Sequence, residues 1–339
     1  MRTKIEIDPK EITGVIKIIN SHLNKDLLIE DLLIELLKGN VLSSDFLFIL
    51  LSKLQKMGII EGKHGILRIK KSVDNEFSKS LIEMIKREVS KKRLIFVTPL
   101  EVAKFYQCPR RFYLEKIVLS KQFKKERGKV WDGEVLHLAV KMFIENMMKK
   151  DIEDLIKTIP RLTLEKYAGK TTIKKDVIED FLIKLYGLIK DERFNLLVSE
   201  RTILSMKNGL MGTPDIIVRG DSGEFIPIDI KLGKIDRRGI KKEHMLQNTG
   251  GAILIEDFFR TRINKSYLIY LQAGSVVQME LTNDMKKEFI LFKRELERVS
   301  MKEIIPPMSK LPNARERVCK GCHVKPSCNN IEELSRMGR

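Results

Sequence analysis

The stretch of sequence that decides the fold is Gly212-Thr-Pro-Asp-Ile-Ile-Val-Arg-Gly-Asp-Ser-Gly-Glu-Phe-Ile-Pro-Ile-Asp-Ile-Lys231. Two apolar runs flank a turn rich in glycine, aspartate and serine, a pattern that predicts two antiparallel strands forming a hairpin. Folding the chain at Asp221–Ser222 brings Asp215 opposite the region of Asp229. Strand alternation then puts Asp229 and Lys231 on the same face. The sequence therefore predicts that two carboxylates and an ammonium group converge.

These three groups have the chemistry of a divalent-metal hydrolase. Hard carboxylate oxygens suit Mg²⁺ or Mn²⁺, and a neighbouring lysine can orient or help deprotonate the attacking water. The alternative is a solvent-facing salt bridge on the hairpin. Burying such charges without a metal or a partner is costly. Five isoleucines flank these charges, which favours the catalytic interpretation. They are Ile216, Ile217, Ile226, Ile228 and Ile230.

Three further polar residues are candidates for the same site. Gly133-Glu-Val-Leu-His137 predicts the beginning of a helix, with Gly133 permitting a close approach and His137 one turn in. A lone helical histidine is more often a packing or surface residue than a ligand. Glu200 lies on a predicted strand and either joins the acidic cluster or faces solvent. Gln247 lies on a predicted helix, where its amide orients Lys231 or a phosphate, or is simply solvated.

All four cysteines fall into one pattern. Cys108 stands alone, and Cys319, Cys322 and Cys328 follow near the C-terminus. A C-x2-C-x5-C run can place three thiolates on one metal centre, which leaves the fourth position for Cys108. Spacing alone does not choose between zinc and a 4Fe–4S cluster. The sequence predicts a four-cysteine metal site that joins two distant parts of the chain.

The surroundings of Cys108 are predicted from local signals. Thr98-Pro-Leu-Glu101 has the sequence of a capping box and predicts the start of a helix. Proline directly after Cys108 predicts that this helix ends there. The adjacent Arg110 and Arg111 favour the thiolate form of the cysteine, which is the form that binds a metal.

Composition points to a polyanionic partner. The chain of 339 residues has 64 Lys and Arg against 46 Asp and Glu, a formal charge of +18. Neutralising phosphates releases counterions, so such a surplus favours nucleic acid. There is no apolar run of about 18 or more residues and no apolar signal segment. We expect no membrane association and a cytoplasmic location.

The chain divides into three predicted parts. Residues 1–71 have three helical repeats of apolar residues, at 12–23, 28–37 and 46–57, followed by two short strands around Gly62 and Gly65. This order predicts a winged-helix-like domain, with a helical docking domain as the alternative. The third helix is too apolar for confident reading of base edges. Residues 72–94 are predicted to be a helical linker, and residues 95–339 a second domain.

A resemblance to a known family rests on motifs in a fixed order. These are Cys108, Gly133-x3-His137, Gly212-Thr-Pro-Asp215, Asp229-Ile-Lys231, Gln247 and Cys319-x2-Cys322-x5-Cys328. In this order the chain resembles the RecB-like iron–sulfur nucleases of the PD-(D/E)XK superfamily, which include the CRISPR-associated Cas four-type exonucleases. The resemblance covers roughly residues 95–329. It implies an α/β fold, with a central mixed sheet flanked by helices, and a 4Fe–4S cluster rather than zinc.

The resemblance also implies roles for the site residues. The metal ligands would be His137, Asp215, Asp229 and the carbonyl of Ile230. Lys231 would assist the attacking water, and Gln247 would complete the catalytic set with Asp215 and Asp229. The sequence departs from the family at Gly251, where a tyrosine usually follows the glutamine by four residues. Residue 229 is aspartate where many relatives have glutamate.

Together these features predict a metal-dependent deoxyribonuclease acting on single-stranded DNA ends or overhangs, with exonuclease favoured over endonuclease action. CRISPR adaptation and DNA repair are the expected contexts, with proteins of those pathways as partners. One alternative is a non-catalytic DNA- or protein-binding module that uses the nuclease fold as a scaffold. Another is a zinc-stabilised transcription regulator, which would bind duplex DNA without cleaving it.

Overall fold

The computed structural model of the protein describes residues 9–38, 44–63, 66–73, 76, 79–80, 83, 96–118, 128–237, 239–302, 305–306 and 315–330. The predicted linker at 72–94 lies mainly outside these residues. Within the described part, no helix combines the length and the apolar character needed to cross a membrane.

The N-terminal part has the order helix, strand, helix, helix, hairpin. Its elements are α1 (Pro9–Ser21), β1 (Asp26–Leu28), α2 (Ile29–Lys38), α3 (Ser44–Lys56), β2 (Ile60–Lys63) and β3 (Ile66–Ile69). The three helices and the two later strands lie close to their predicted positions. Strand β1 was not predicted, because three residues are too few to show a period. It pairs antiparallel with β3, which also pairs with β2.

The second part alternates helices and strands. The helices before the sheet are α4 (Pro99–Gln107), α5 (Pro109–Tyr113), a π-helical turn (Leu114–Val118), α6 (Gly128–Asn146), α7 (Ile152–Lys166) and α8 (Lys175–Asp191). The strands are β4 (Asn195–Ser199), β5 (Ile203–Ser205), β6 (Leu210–Gly212), β7 (Ile216–Arg219), β8 (Phe225–Lys231), β9 (Lys265–Tyr270) and β10 (Ser275–Glu280). Helices α9 (Lys242–Phe259), α10 (Asn283–Lys302) and α11 (Arg315–Lys320) complete the elements.

The central sheet is mixed. Its strand order is β10-β9-β8-β7-β4, and β5 pairs with β6 in a separate small sheet. Strands β7 and β8 form the predicted hairpin, with Ile216 opposite Ile228. Strand β9 pairs with β8 in parallel, so a crossover must connect them, and α9 is that crossover. The α/β architecture with a mixed sheet and flanking helices agrees with the predicted fold class.

Each face of the sheet has its own apolar core. Strand alternation sends Ile216, Ile226 and Ile228 to one face, where they pack with α6, α7 and α8. Ile217 and Phe225 point to the other face, where α9 packs against β8 and α4 packs against α9. Charged side chains at the end of β8 therefore stand between two apolar layers, which limits their access to solvent.

The N-terminal part packs against the second part. Helix α2 contacts β4, and α3 contacts α9 and β5. Glu30 Oε2 and Arg219 Nη2 form an ion pair at 2.7 Å. Buried residues of both parts belong to one continuous apolar cluster. Helix α3 is therefore a packing element in this structure, which agrees with its apolar sequence.

The capping box at the start of α4 is confirmed. The Thr98 hydroxyl accepts a hydrogen bond from the Glu101 amide at 3.1 Å, and the Thr98 amide donates to Glu101 Oε2 at 3.0 Å. Helix α4 ends at Gln107, and Pro109 begins α5. The predicted break at Cys108 is therefore present.

Candidate metal centre and active-site cavity

Asp215 is fixed at the point where β7 begins. Its side chain is buried, and its Oδ2 accepts a hydrogen bond from the Ile230 amide at 2.6 Å. The β7–β8 register makes this contact possible, because Asp215 directly precedes the pair formed by Ile216 and Ile228. The first predicted carboxylate thus lies against the second strand of the hairpin.

Glu200 and His137 complete a compact group with Asp215. His137 Nδ1 lies 2.6 Å from Glu200 Oε1 and 3.5 Å from Asp215 Oδ1. One ligand atom from each of the three residues lies within 4.8 Å of the others, a spacing that could hold a metal ion. One imidazole and two carboxylates form a donor set for a borderline or hard divalent cation.

The backbone at Glu200 is held in an unusual conformation. Its φ is 52°, in the left-handed region that costs a non-glycine residue about 1–2 kcal/mol. The Glu200 amide donates to the Asp215 carbonyl at 3.0 Å. This bond, directly after β4, holds the turn that directs the carboxylate towards His137. Left-handed non-glycine residues concentrate at functional sites.

Asp229 and Lys231 lie on one face of β8, as strand alternation predicted. Lys231 Nζ is 2.6 Å from Asp229 Oδ2, and the two side chains are only 11% and 15% exposed. The contact is an ion pair without hydrogen-bond alignment, since Asp229 Oδ2 is buried and has no hydrogen-bond partner in the described part of the chain. A buried carboxylate oxygen lacking an aligned donor is suited to receive a cation.

The electrostatics of the group follow from this crowding of charge. Burial lowers the pKa of His137, but its hydrogen bond to Glu200 and the charge of Asp215 outweigh burial and raise the pKa to about 9. Burial raises the pKa of Asp215, and the charge of Asp229 raises it further, to about 7. Without a cation, the cluster therefore retains protons that a metal would displace.

A cavity of about 650 Å³ opens over these groups. Four of its lining residues are His137, Glu200, Asp215 and Asp229. The remainder of the wall is Thr98, Pro99, Leu100, Thr202, Met211, Gly212, Thr213, Pro214, Pro227, Ile228, Gln247, Asn248, Gly251 and Leu254. Gln247 thus faces the same space as the carboxylates. Ile230 and Lys231 follow Asp229 at the end of β8 and are not among the lining residues.

Two residues near the site were not found by sequence reasoning. His244 Nδ1 and the Tyr270 hydroxyl are 2.9 Å apart. Burial and then the charge of Lys231 lower the pKa of His244. The pair therefore lies close to β8, the strand that carries Lys231. His244 precedes Gln247 by three residues on α9, a helical spacing that could have signalled a shared face.

One local prediction was wrong. The helix that carries His137 begins at Gly128 rather than at Gly133. A Cβ at Gly133 would meet Leu232 at 3.8 Å, an ordinary contact. The glycine is therefore not required there by close packing.

Cys108 lies near two of the three C-terminal cysteines. It caps α5, and its Sγ accepts from the Arg111 amide at 3.3 Å. Burial raises the pKa of the Cys108 thiol, the backbone amides of Arg111 and Arg110 lower it, and nearby Cys322 and Cys319 raise it further. The pKa of this thiol is therefore raised, contrary to the thiolate-favouring effect expected from the two arginines.

The C-terminal segment is attached by more than its cysteines. Cys322 and Cys328 pack against the apolar cluster that contains α4. His323 Nε2 pairs with Glu115 Oε1 at 2.9 Å on the π-helical turn. Among the described residues, the cysteine sulfurs do not form a group within 4.8 Å of one another. A tetrahedral zinc site would need sulfurs about 3.8 Å apart, given Zn–S bonds of about 2.3 Å.

The fold and site define a class: an α/β protein in which His137, Glu200 and Asp215, a group that could hold a metal ion, lie beside a β-hairpin and line a cavity. The sequence model of the PD-(D/E)XK nuclease superfamily matches residues 97–329. The chain belongs to the PD-(D/E)XK nuclease superfamily, whose nucleases use divalent metals.

The chain is similar to three further proteins over part of its length. The chain is 21% identical over 216 residues to the DNA replication ATP-dependent helicase/nuclease dna2 of Schizosaccharomyces pombe, covering 60% of this chain and 14% of that protein. The crystal structure of SSO0001 is 18% identical, covering 57% of this chain and 94% of its own, with a TM-score of 0.26. The crystal structure of LHK-Exo in complex with dAMP is 14% identical, covering 52% of this chain and 95% of its own, with a TM-score of 0.26.

Metal binding should strengthen as the pH rises. The raised pKa values of His137 and Asp215 mean that both groups are protonated at lower pH and must release protons to bind a cation. Each released proton makes the association constant rise up to about tenfold per pH unit. We expect Mn²⁺ to bind at least about tenfold more tightly at about pH 8 than at about pH 6.

Calorimetry in two buffers of different ionisation enthalpy measures both the affinity and the protons released. His137→Ala should release fewer protons than the parent. An affinity that stays constant or falls as the pH rises would show that these groups do not hold the metal.

Proposed function

We propose that this protein is a metal-dependent DNA nuclease that hydrolyses phosphodiester bonds at single-stranded ends or overhangs. The observation that carries the proposal is the grouping of His137, Glu200 and Asp215 within 4.8 Å, at one side of a cavity also lined by Asp229. Membership of a nuclease superfamily supports the same reaction class.

The residues present fit a divalent cation. His137, Asp215, Asp229 and the carbonyl of Ile230 would hold it, with Glu200 as a further ligand or as the group that orients His137. The clustered carboxylates and the buried Asp229 oxygen without a hydrogen bond supply the negative charge that a cation needs. When bound, Mg²⁺ or Mn²⁺ supplies Lewis-acid stabilisation of the phosphate and lowers the pKa of water.

Lys231 and Gln247 contribute in other ways. The Lys231 ammonium group is held by Asp229 and acts on the attacking water or on the scissile phosphate. Gln247 faces the cavity from α9, where its amide can donate to a phosphate oxygen. Hydrolysis breaks one P–O bond, and water supplies the oxygen of the new phosphate terminus.

The choice of DNA rests on charge and relationship. The net charge of +18 favours a polyphosphate substrate. The related dna2 protein is named as a DNA replication helicase/nuclease. Exonuclease action and a role in repair or CRISPR adaptation are part of the proposal, and conserved neighbouring genes would distinguish the two contexts.

We expect the site residues to separate into two functional classes. Asp215→Ala and Asp229→Ala should weaken Mn²⁺ binding and stop cleavage together, because each removes charge that the cation requires. Lys231→Ala should leave Mn²⁺ affinity nearly unchanged but lower the single-turnover rate about a hundredfold or more. Calorimetry beside single-turnover cleavage of a labelled oligonucleotide measures both quantities.

Two surface variants serve as matched controls. Asp221→Ala removes an exposed carboxylate from the turn of the same hairpin, and Lys287→Ala removes an exposed lysine from α10. Both should cleave at the parent rate. If Lys231→Ala also cleaves at the parent rate, the role proposed for Lys231 is wrong. A well-folded parent that binds DNA and never cleaves it would favour the non-catalytic binding module.

We propose that Cys108, Cys319, Cys322 and Cys328 hold a 4Fe–4S cluster rather than zinc. Two observations support it. Cys108 lies near Cys319 and Cys322. The C-terminal segment already packs against the core beside α4. A cluster there would close a long loop and so restrict the unfolded chain.

Freshly purified protein should therefore be brown and contain iron and labile sulfide. Cys322→Ala should lose the colour and melt at a lower temperature, because one ligand of the cross-link is gone. Ser327→Ala, beside Cys328, should keep both properties. Absorption spectroscopy, iron analysis and thermal denaturation of anaerobic samples provide the measurements. Stoichiometric zinc without iron would reject the cluster and revive the zinc-regulator alternative.

We propose that residues 1–71 form a winged-helix-like domain that tunes substrate choice or recruits a partner. The order of its helices and strands supports this shape. Because α3 packs against α9 and β5, recognition would use surfaces beyond the buried side of α3. The exposed Lys56, at the end of α3, is the basic residue best placed to test duplex contact.

We expect Lys56→Glu to weaken binding to duplex DNA several-fold while leaving cleavage of short single strands unchanged, since the change removes one phosphate contact. Lys17→Glu, an equal charge reversal on α1, is the control. Fluorescence anisotropy and single-strand cleavage are measured side by side. Equal effects of the two variants, or loss of single-strand cleavage by folded Lys56→Glu, would contradict the proposed division of labour.

A further inference from the structure

Helix α9 contains two adjacent glycines with opposite surroundings. A Cβ at Gly250 would lie 2.5 Å from the Phe289 ring and 2.8 Å from Pro99, so the close packing of α9 on its neighbours requires glycine there. A Cβ at Gly251 would meet nothing within 4 Å. Packing therefore explains the first glycine and leaves the second without a structural reason.

Gly251 nevertheless faces a defined space. It lines the 650 Å³ cavity that also contains His137, Glu200 and Asp215. Glycine in a helix interior lowers helix stability relative to alanine, and nothing at this position obstructs a larger residue. Because residue 251 has no side chain, the cavity stays open beside α9 at this position.

Beside Gly251 the cavity has apolar walls. Leu254 lies one turn further along α9, and Pro99 packs against Gly250 of the same helix. Pro227 and the paired hydroxyls of Thr202 and Thr213, 2.8 Å apart, line the same cavity. Leu100 at the start of α4 also lines it and is 44% exposed, a large apolar side chain facing solvent. Concave, mostly apolar pockets with a few hydrogen-bonding groups are characteristic of sites for small organic ligands.

We propose that this part of the cavity receives the unpaired nucleobase next to the scissile phosphate, with Gly251 forming its floor and Leu100 its rim. The inference rests on the proposed nuclease function. A phosphate beside the carboxylates would place its own sugar and base in the same cavity that Gly251 lines. A base has apolar faces for the walls and polar edges for the two threonines and Gln247.

The pocket supplies a physical reason for a preference for single strands. A paired and stacked base cannot enter this cavity unless it is first extruded from the helix, at a free-energy cost. An unpaired base at an end or overhang avoids most of that cost. Strand selection would then arise within the catalytic cavity, independently of the N-terminal domain.

Filling the pocket should separate stability from activity. Gly251→Ala and Gly251→Leu should raise the Tm, because the space is open and both residues favour helix. Gly251→Leu should lower kcat/KM on single strands about tenfold or more, with a smaller loss for Gly251→Ala. Gly187→Ala and Gly187→Leu are matched controls, because Gly187 lies in α8 with nothing within 4 Å. They should keep parent activity.

A second substrate isolates the base itself. Removing the base beside the scissile phosphate, with an abasic nucleotide, should slow the parent about tenfold or more. The abasic nucleotide should slow cleavage by Gly251→Leu little further, since the substitution and the missing base remove the same contact. Without added metal, the affinity of a labelled intact strand should exceed that of the abasic strand for the parent and match it for Gly251→Leu.

The outcomes distinguish this pocket from the nuclease proposal. A parent that cleaves normally, with Gly251→Leu at the parent rate or with equal abasic losses in both proteins, would overturn the base pocket and leave the nuclease function intact. A parent that cleaves no DNA would overturn the proposed function, while the metal-free affinities would still report whether a base occupies the cavity. Should Gly251→Leu fold poorly, Gly251→Ala must show the same non-additivity for the pocket to stand.

Discussion

The hydrogen bond from the Ile230 amide to Asp215 Oδ2 is the contact on which the rest of the site depends. At 2.6 Å it joins the residue before β7 to the strand that carries Asp229 and Lys231. It fixes a buried carboxylate against the hairpin without a cationic partner of its own on that oxygen. Asp215 also accepts the Glu200 amide through its backbone carbonyl. One residue thus sets the positions of three segments, β4, β7 and β8.

The position of Asp215 also explains why the pKa values of Asp215 and His137 are raised. Carboxylates held together away from water raise one another's pKa, and Asp215 follows this rule. His137 offsets part of the charge and has its own pKa raised as a result. A divalent cation would replace those protons and relieve the repulsion. In the proposed metal centre, the strain at Glu200 and the unaligned Asp229 oxygen have the same explanation: the fold holds these groups where a bound cation would stabilise them.

Much of this arrangement could be predicted from local sequence. Strand periodicity gave the hairpin and the shared face of Asp229 and Lys231, and the capping box gave the start of α4. The left-handed backbone at Glu200 could not be predicted, because it is imposed by a bond to a strand fifteen residues away along the chain. The pair formed by His244 and Tyr270 depends on the crossover that brings α9 beside β9. The packing of α3 on α9 likewise requires the tertiary structure.

The two glycines of α9 show how sequence and structure divide the explanation. From sequence alone, Gly250 and Gly251 are equivalent interruptions of a helix, and the expected tyrosine at residue 251 suggests only that a contact is missing. The structure separates them, because one is confined by Phe289 and Pro99 and the other lines the cavity that also contains His137, Glu200 and Asp215. An absent side chain is then a feature of the site in its own right. In the proposed nuclease, where the carboxylates would hold a cation that binds phosphate, the space at Gly251 would help to determine which substrate fits.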